Sequence, residues 1–255
     1  MKTLSNLEFS SLLDVGGAEG YKAYVAREIF GVEVKNCDIS EEACKRAEEI
    51  FGIDSDPADV HNLPYKDNRF DVLICSEVLE HVTDVRKALH ELLRVAGGAI
   101  IITVPHEPKK VIESTIRKKL PHGHIHYFVK ESFDFLKKKG YHIFSKRIIN
   151  SLLMFPCVAI QAMPAEYTVG IPKIFVELYN SCLPLLRKIF PDKLASLLIA
   201  SLIRFDEFIC RVLPLYHSIL ILILKNEGML CKRKGQGISA YKIINMNVPY
   251  HFLQK

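Results

Sequence analysis

Apolar residues in the first 150 positions come in short runs, separated by stretches where they recur at helical spacing. The run at 9–15 reads as a buried strand, and 32–37 reads as a second. Residues 69–76 are almost continuously apolar, and 99–104 are wholly so after Gly97 and Gly98, which are expected to turn the chain. Strands of this kind are buried on both faces, as in parallel sheets covered by helices. Between them, 19–30, 41–51 and 82–95 carry helical periodicity. Gly31 and Gly52 follow two of these helices, where a left-handed stop is expected. Ser40 stands at a capping position before Glu41 and Glu42, acids that suit a helix start. One more helix (130–139) and one more strand (141–149) complete this alternation, which predicts an α/β fold.

The pattern changes after residue 150. Residues 151–217 are rich in Leu, Ile, Phe and Pro, and predict amphipathic helices over 171–189 and 193–213, interrupted at Pro184. The run Ser-Ile-Leu-Ile-Leu-Ile-Leu at 218–224 predicts a buried strand, followed by a polar tail with Lys232, Arg233 and Lys234. No repeat at solenoid periods is present.

Composition narrows the class. The chain has 255 residues, 49% hydrophobic and 25% charged, which excludes disorder and collagen-like sequence. A net charge of +5 is too weak to argue nucleic-acid binding, and none is expected as a partner. Seven cysteines without a CxxC pair argue against a disulfide framework and for a reducing, cytoplasmic setting. The first residues lack an apolar signal core. The longest uncharged stretch, between Arg147 and Glu166, contains Pro156 and Pro164, which a membrane-spanning helix disfavours.

The most informative segment is Leu12-Leu13-Asp14-Val15-Gly16-Gly17-Ala18-Glu19-Gly20. A strand ends in an acid, and a turn of small residues opens a helix. Such turns let backbone approach a ligand and aim helix-start amides at it. The nicotinamide fingerprint Gly-x-Gly-x-x-Gly fails, because its positions fall on Gly16, Ala18 and Tyr21. The pattern Asp-x-Gly-x-Gly-x-Gly fits at Asp14, Gly16 and Gly20, with Ala18 in place of the middle glycine. Alanine is expected to be tolerated there if its φ is negative.

On these residues the chain resembles the class I S-adenosylmethionine-dependent methyltransferases. Cys37-Asp38-Ile39-Ser40, Ala58-Asp59-Val60 with Asn62-Leu63-Pro64-Tyr65, the run 70–82 and Gly97–104 match further segments of that family in order, over roughly residues 9–149. The similarity is strongest to the small-molecule "type 11" group, which includes quinone-biosynthesis O-methyltransferases. It implies a Rossmann-like seven-stranded sheet of order 3-2-1-4-5-7-6, with the last strand antiparallel and helices on both faces. The chain would then be one domain: a cofactor-binding core at 9–149, a helical insertion or cap at 151–217, and the last strand with a basic tail at 218–255. Only 13 residues precede Asp14, so the lid over the cofactor is short or comes from the insertion.

The resemblance also implies roles. S-adenosylmethionine would be held by Asp14, Gly16, Gly17, Ala18, Gly20, Asp38, Ile39, Asp59, Val60, Ser76 and Glu77. Asp38 would take the ribose hydroxyls, Asp59 the adenine amino group, and Asp14 suits the sulfonium and ammonium charges. His81 follows the run at 69–76, at the strand end where α/β sites lie, and is the leading candidate base; packing at the next helix start is its alternative. Glu77, Glu80 and His81 share a face if that turn is helical, and the matching Glu-x-x-Glu-His in quinone O-methyltransferases is linked to a divalent metal. His122-Gly123-His124-Ile125-His126 places alternate imidazoles together, but no Cys or carboxylate stands nearby in sequence to complete a metal set. His126 is a second candidate base there, with structural hydrogen bonding and substrate-mouth lining as the other readings.

The function implied is methyl transfer to a small molecule, with oxygen the favoured acceptor atom and an apolar or lipid-linked acceptor suggested by 151–217. That insertion could also touch a membrane surface peripherally. The alternatives are a non-catalytic cofactor-binding relative, and an RNA or protein methyltransferase. The amino-directed Asn/Asp-Pro-Pro-Tyr/Phe motif is absent where Ser76-Glu77-Val78-Leu79 stands.

Overall fold

The computed structural model describes residues 1–118, 123–148, 218–225 and 227–230, with single positions at 177, 181, 201, 205 and 208. The chain divides into two compact units. One comprises Met1–Ile148, His217–Gly237 and Val248–Lys255; the other comprises Ile149–Tyr216 and Ile238–Asn247. The predicted helices over 171–189 and 193–213, and the basic tail, lie outside the described residues, apart from the single helical positions named above.

The first unit is built in the order β1 (Ser11–Val15), α1 (Tyr21–Phe30), β2 (Glu33–Asp38), α2 (Glu41–Phe51), β3 (Ser55–Pro57), β4 (Phe70–Ser76), α3 (Val85–Val95), β5 (Ala96–Pro105), α4 (Lys109–Lys118), β6 (His142–Ile148) and β7 (Ser218–Leu224). The sheet order is β3-β2-β1-β4-β5-β7-β6. The strands β1 to β5 run parallel, and β7 is antiparallel to both β5 and β6. This is the seven-stranded Rossmann-like architecture that the motif order implies.

The core follows from the apolar runs. Leu12, Leu13, Val72, Leu73, Ile100 and Ile102 are at most 1% exposed. One cluster joins Leu12, Val72, Ile74, Ala99, Ile101, Leu222 and Leu224 with Leu4 and Leu7 from the N-terminal segment. Leu7 pairs with Leu230, and the Glu8 amide donates to the Met229 carbonyl. The N-terminal residues therefore pack into this core and are tied down there.

Several predicted boundaries shift, each for a local reason. Helix α1 starts at Tyr21 rather than 19, because Ala18 and Gly20 are left-handed (φ 48° and 77°). Helix α3 starts at Val85 rather than 82, where the Asp84 carboxylate accepts from the Arg86 and Lys87 amides. Gly97 and Gly98 lie inside β5 instead of turning into it. The β4–β5 register slips between Phe70 and Val72, accommodating an extra residue as a bulge. A Cβ on Gly98 would strike the Met229 sulfur, so glycine there admits the covering segment. The predicted helix over 130–139 is a turn followed by a 3-10 segment, Asp134–Lys139. Buried Phe133 and Leu136 are three apart, the spacing a 3-10 turn aligns.

Candidate functional site

The C-terminal ends of β1, β2 and β4 bring the sequence motifs together, as parallel pairing of β1 with both neighbours requires. After Val15, the chain enters a tight turn held by amides of Gly16 and Gly17 donating to the Cys37 carbonyl (2.8 and 3.3 Å). Gly16 is left-handed (φ 65°), and a Cβ there would collide with the Val78 side chain from the β4 end. Gly17 is buried, and a Cβ would meet the Asn36 Oδ1 and Asp14 carboxylate. Glycine is thus required twice by close approach, before any ligand is considered. Glu19 anchors the turn to α2 through Arg46 (2.8 Å).

Ala18 has φ 48°, contrary to the negative φ expected for alanine at this position. Two partners hold it there. Its amide donates to Asp38 Oδ2 (2.9 Å), and its carbonyl accepts from Asn36 Nδ2 (2.9 Å). Asp38 Oδ1 accepts from the Ser40 amide (2.9 Å), so each carboxylate oxygen carries one protein hydrogen bond and keeps capacity for a diol. Ile39 beside it is 77% exposed, an apolar surface at the rim of the turn. Asp59 is exposed and accepts from the His61 amide and ring Nδ1 (2.8 and 2.6 Å), which hold its carboxyl below its usual value. Val60 is buried.

Asp14 lies beneath the turn. It is fully buried, and neither carboxylate oxygen has a hydrogen-bond partner. Burial raises its pKa to about 6, with the nearby Lys22 charge opposing. Asn36 Oδ1 is also unpartnered and crowds the same glycine. Asn36 was not legible as a site residue; only its place directly opposite Asp14 in the β1–β2 register reveals it.

The β4 end is a turn, not a helix. Glu77 is left-handed (φ 57°), and its amide donates to the Thr103 carbonyl (2.8 Å). Ser76 Oγ shares a hydrogen bond with Thr103 Oγ1 (2.6 Å). The His81 amide donates to the Val78 carbonyl (3.0 Å), so His81 sits one turn from the residue packed on Gly16. The shared helical face expected of Glu77, Glu80 and His81 is therefore not formed. The fold instead gathers Glu80, His81 and His124, whose ligand atoms lie within 4.8 Å of one another.

His124 arrives on the segment before the 3-10 turn. That segment is fastened to the β4 end by the Ile125 amide donating to the Glu80 carbonyl (2.9 Å), and by His126 Nε2 donating to the Val82 carbonyl (2.6 Å). His126, a candidate base by sequence, thus anchors its neighbours. His122 lies outside the described residues. Glu107 Oε2 sits 2.6 Å from His124 Nδ1, and the His81 and His124 rings meet edge to face at 4.9 Å. Glu107 and His124 as partners of Glu80 were missed in sequence, because 44 residues separate positions 80 and 124.

Comparisons with known proteins agree with this geometry. Residues 13–102 match the model of a family described as a methyltransferase domain. Norajmaline N-methyltransferase of Rauvolfia serpentina is 34% identical over 113 residues, 41% of this chain and 38% of that protein. The chloroplastic tocopherol O-methyltransferase of Arabidopsis thaliana is 34% identical over 105 residues, 37% of this chain and 30% of that protein. The chain thus matches less than half the length of these relatives. A SAM-dependent methyltransferase from Archaeoglobus fulgidus superposes with a TM-score of 0.51 at 17% identity, over 88% of this chain and 89% of that one, a likeness of fold. Motif, sheet order and domain match converge on residues 13–102: this stretch matches a methyltransferase domain of the type 11 group, set in the seven-stranded sheet order of class I S-adenosylmethionine-dependent methyltransferases.

Proposed function

We propose that this protein transfers the methyl group of S-adenosylmethionine to a small-molecule acceptor, with oxygen the favoured acceptor atom. The observation that carries the reading is the Gly16–Asp38 turn. A left-handed, side-chain-free approach lies beside a carboxylate already oriented by the Ala18 and Ser40 amides. Such a pre-positioned acid suits a ribose diol, and exposed Ile39 suits the adenine face beside it.

Methyl transfer is an in-line displacement, so the protein's main task is to align acceptor and methyl carbon. An acceptor hydroxyl must also lose a proton. His81 is exposed one turn beyond the cofactor-side Val78 and is the group proposed to receive it. The relatives include both an N- and an O-methyltransferase, so an amine acceptor is the second reading.

The apolar 151–217 segment favours a greasy or lipid-linked acceptor, with peripheral membrane contact and a cytoplasmic location as parts of the same proposal. Among the described residues no helix is long and apolar enough to span a membrane.

The test is release of S-adenosylhomocysteine across a panel of phenols, quinols, prenylated quinols and amines. Turnover on a hydroxyl acceptor is expected, with His81→Ala lowering kcat roughly 10²–10⁴-fold. Cofactor binding with no turnover on any acceptor would favour the non-catalytic alternative.

A further inference from the structure

Glu80, like Asp14, is a buried carboxylate left without a donor. Its side chain is fully buried, and neither carboxylate oxygen has a hydrogen-bond partner. A buried carboxylate without a hydrogen-bond donor calls for a compensating cation when ionised. Beside it stands a pair of imidazoles, His81 and His124.

We propose that Glu80, His81 and His124 bind a divalent transition-metal ion, with Glu107 orienting His124 from behind. Three observations converge. The three donor sets lie within 4.8 Å of one another. A cation about 2.0–2.2 Å from each nitrogen and oxygen draws such donors together by side-chain rotation alone. His124 Nδ1–H donates to Glu107 at 2.6 Å, which leaves Nε2 as the lone-pair nitrogen. A carboxylate behind a ligating imidazole is the usual outer-shell arrangement. The segment carrying His124 is also fastened to the segment carrying Glu80 and His81 by two hydrogen bonds, Ile125 to Glu80 and His126 to Val82. The donors are therefore brought together by the fold rather than by chance proximity of exposed acids.

Two imidazoles and one carboxylate select zinc, cobalt, manganese or iron over magnesium and calcium, which prefer all-oxygen sets. The ligand set differs from the one the resemblance implies. The donors gathered within reach of one another are Glu80, His81 and His124, so His124 takes the place the resemblance gives to Glu77. The metal's use in catalysis rests on the methyl-transfer reading. With an ion bound, His81 would be a ligand and the ion would acidify the acceptor hydroxyl; the proton-accepting role of His81 is that of the metal-free protein.

The test uses the full-length protein stripped with chelator, then titrated with zinc or cobalt(II). The wild type is expected to take up about one ion per chain, as in other single closed sites, and to show visible ligand-field absorption with cobalt. His124→Ala and Glu80→Gln should each weaken binding at least about 100-fold, while Glu107→Gln should weaken it roughly 10–100-fold and shift the cobalt spectrum. His124 lies on a partly exposed loop, so His124→Ala carries the test if Glu80→Gln fails to fold. Wild-type protein that binds neither ion overturns the proposal. So does retention of the ion in His124→Ala with loss in Glu77→Gln, which would restore the other ligand set. S-adenosylmethionine titrated into the metal-free protein reports separately, so failure of the metal site and failure of the methyl-transfer reading are distinguishable.

Discussion

Ala18 occupies the middle of the turn with a backbone that favours glycine. Left-handed φ costs an L-residue roughly 1–2 kcal/mol, partly offset by the smaller unfolded-state entropy of alanine. Ala18→Gly should therefore stabilise the protein by about 0.5–1 kcal/mol in denaturant unfolding. No gain would mean the Asp38 and Asn36 hydrogen bonds have already relaxed the turn. Asp14 bears a second cost. Its pKa is raised in the fold, so its favourable contribution is complete below pH 4 and is lost as pH rises through about 6. Carrying the buried charge at higher pH costs about 3 kcal/mol. Asp14→Asn should remove that slope and gain up to the same amount at pH 8, since an amide can donate to the unpartnered Asn36 Oδ1. Stability curves of variant and wild type that stay parallel from pH 4 to 8 would contradict this.

Elements carry the site through a few clamps. Arg94 on α3 donates to the carbonyls of Leu63 and Tyr65 and pairs with Asp67 and Glu91, while the Leu63 amide donates back to Glu91. This fixes the loop that follows Asp59. Arg94→Lys keeps the charge but not the fork, and should cost about 2 kcal/mol by leaving loop carbonyls unmet. Amide exchange at 59–67 should quicken; unchanged protection there would show the loop is held otherwise. The central strands were legible in sequence because burial on both faces leaves them almost purely apolar. The strand β3 was not, since Ser55-Asp56-Pro57 is too short and polar to show a period. Helix α4 was not, because Ile112 is its one buried residue among those described. The turn at Gly16–Gly20 was legible because its pattern is local: an acid, small residues and a second acid 20 positions after Ala18. The Glu80–His124 pairing was not, because it exists only once the 123–129 segment docks on the β4 end.

At the scale of the molecule, one strand order joins three strand ends into a single small cradle. This cradle is proposed to hold S-adenosylmethionine. The most direct measurement is a calorimetric titration of the cofactor into wild-type protein and into Asp38→Ala and Gly16→Val. The wild type should bind with a saturable heat at one site, and both variants should lose it. Asp38→Ala removes the proposed ribose acceptor, and Gly16→Val drives a branched side chain into Val78 and the approach path. Wild-type protein that shows no binding at millimolar cofactor, or an Asp38→Ala variant that binds as tightly as wild type, would contradict the account.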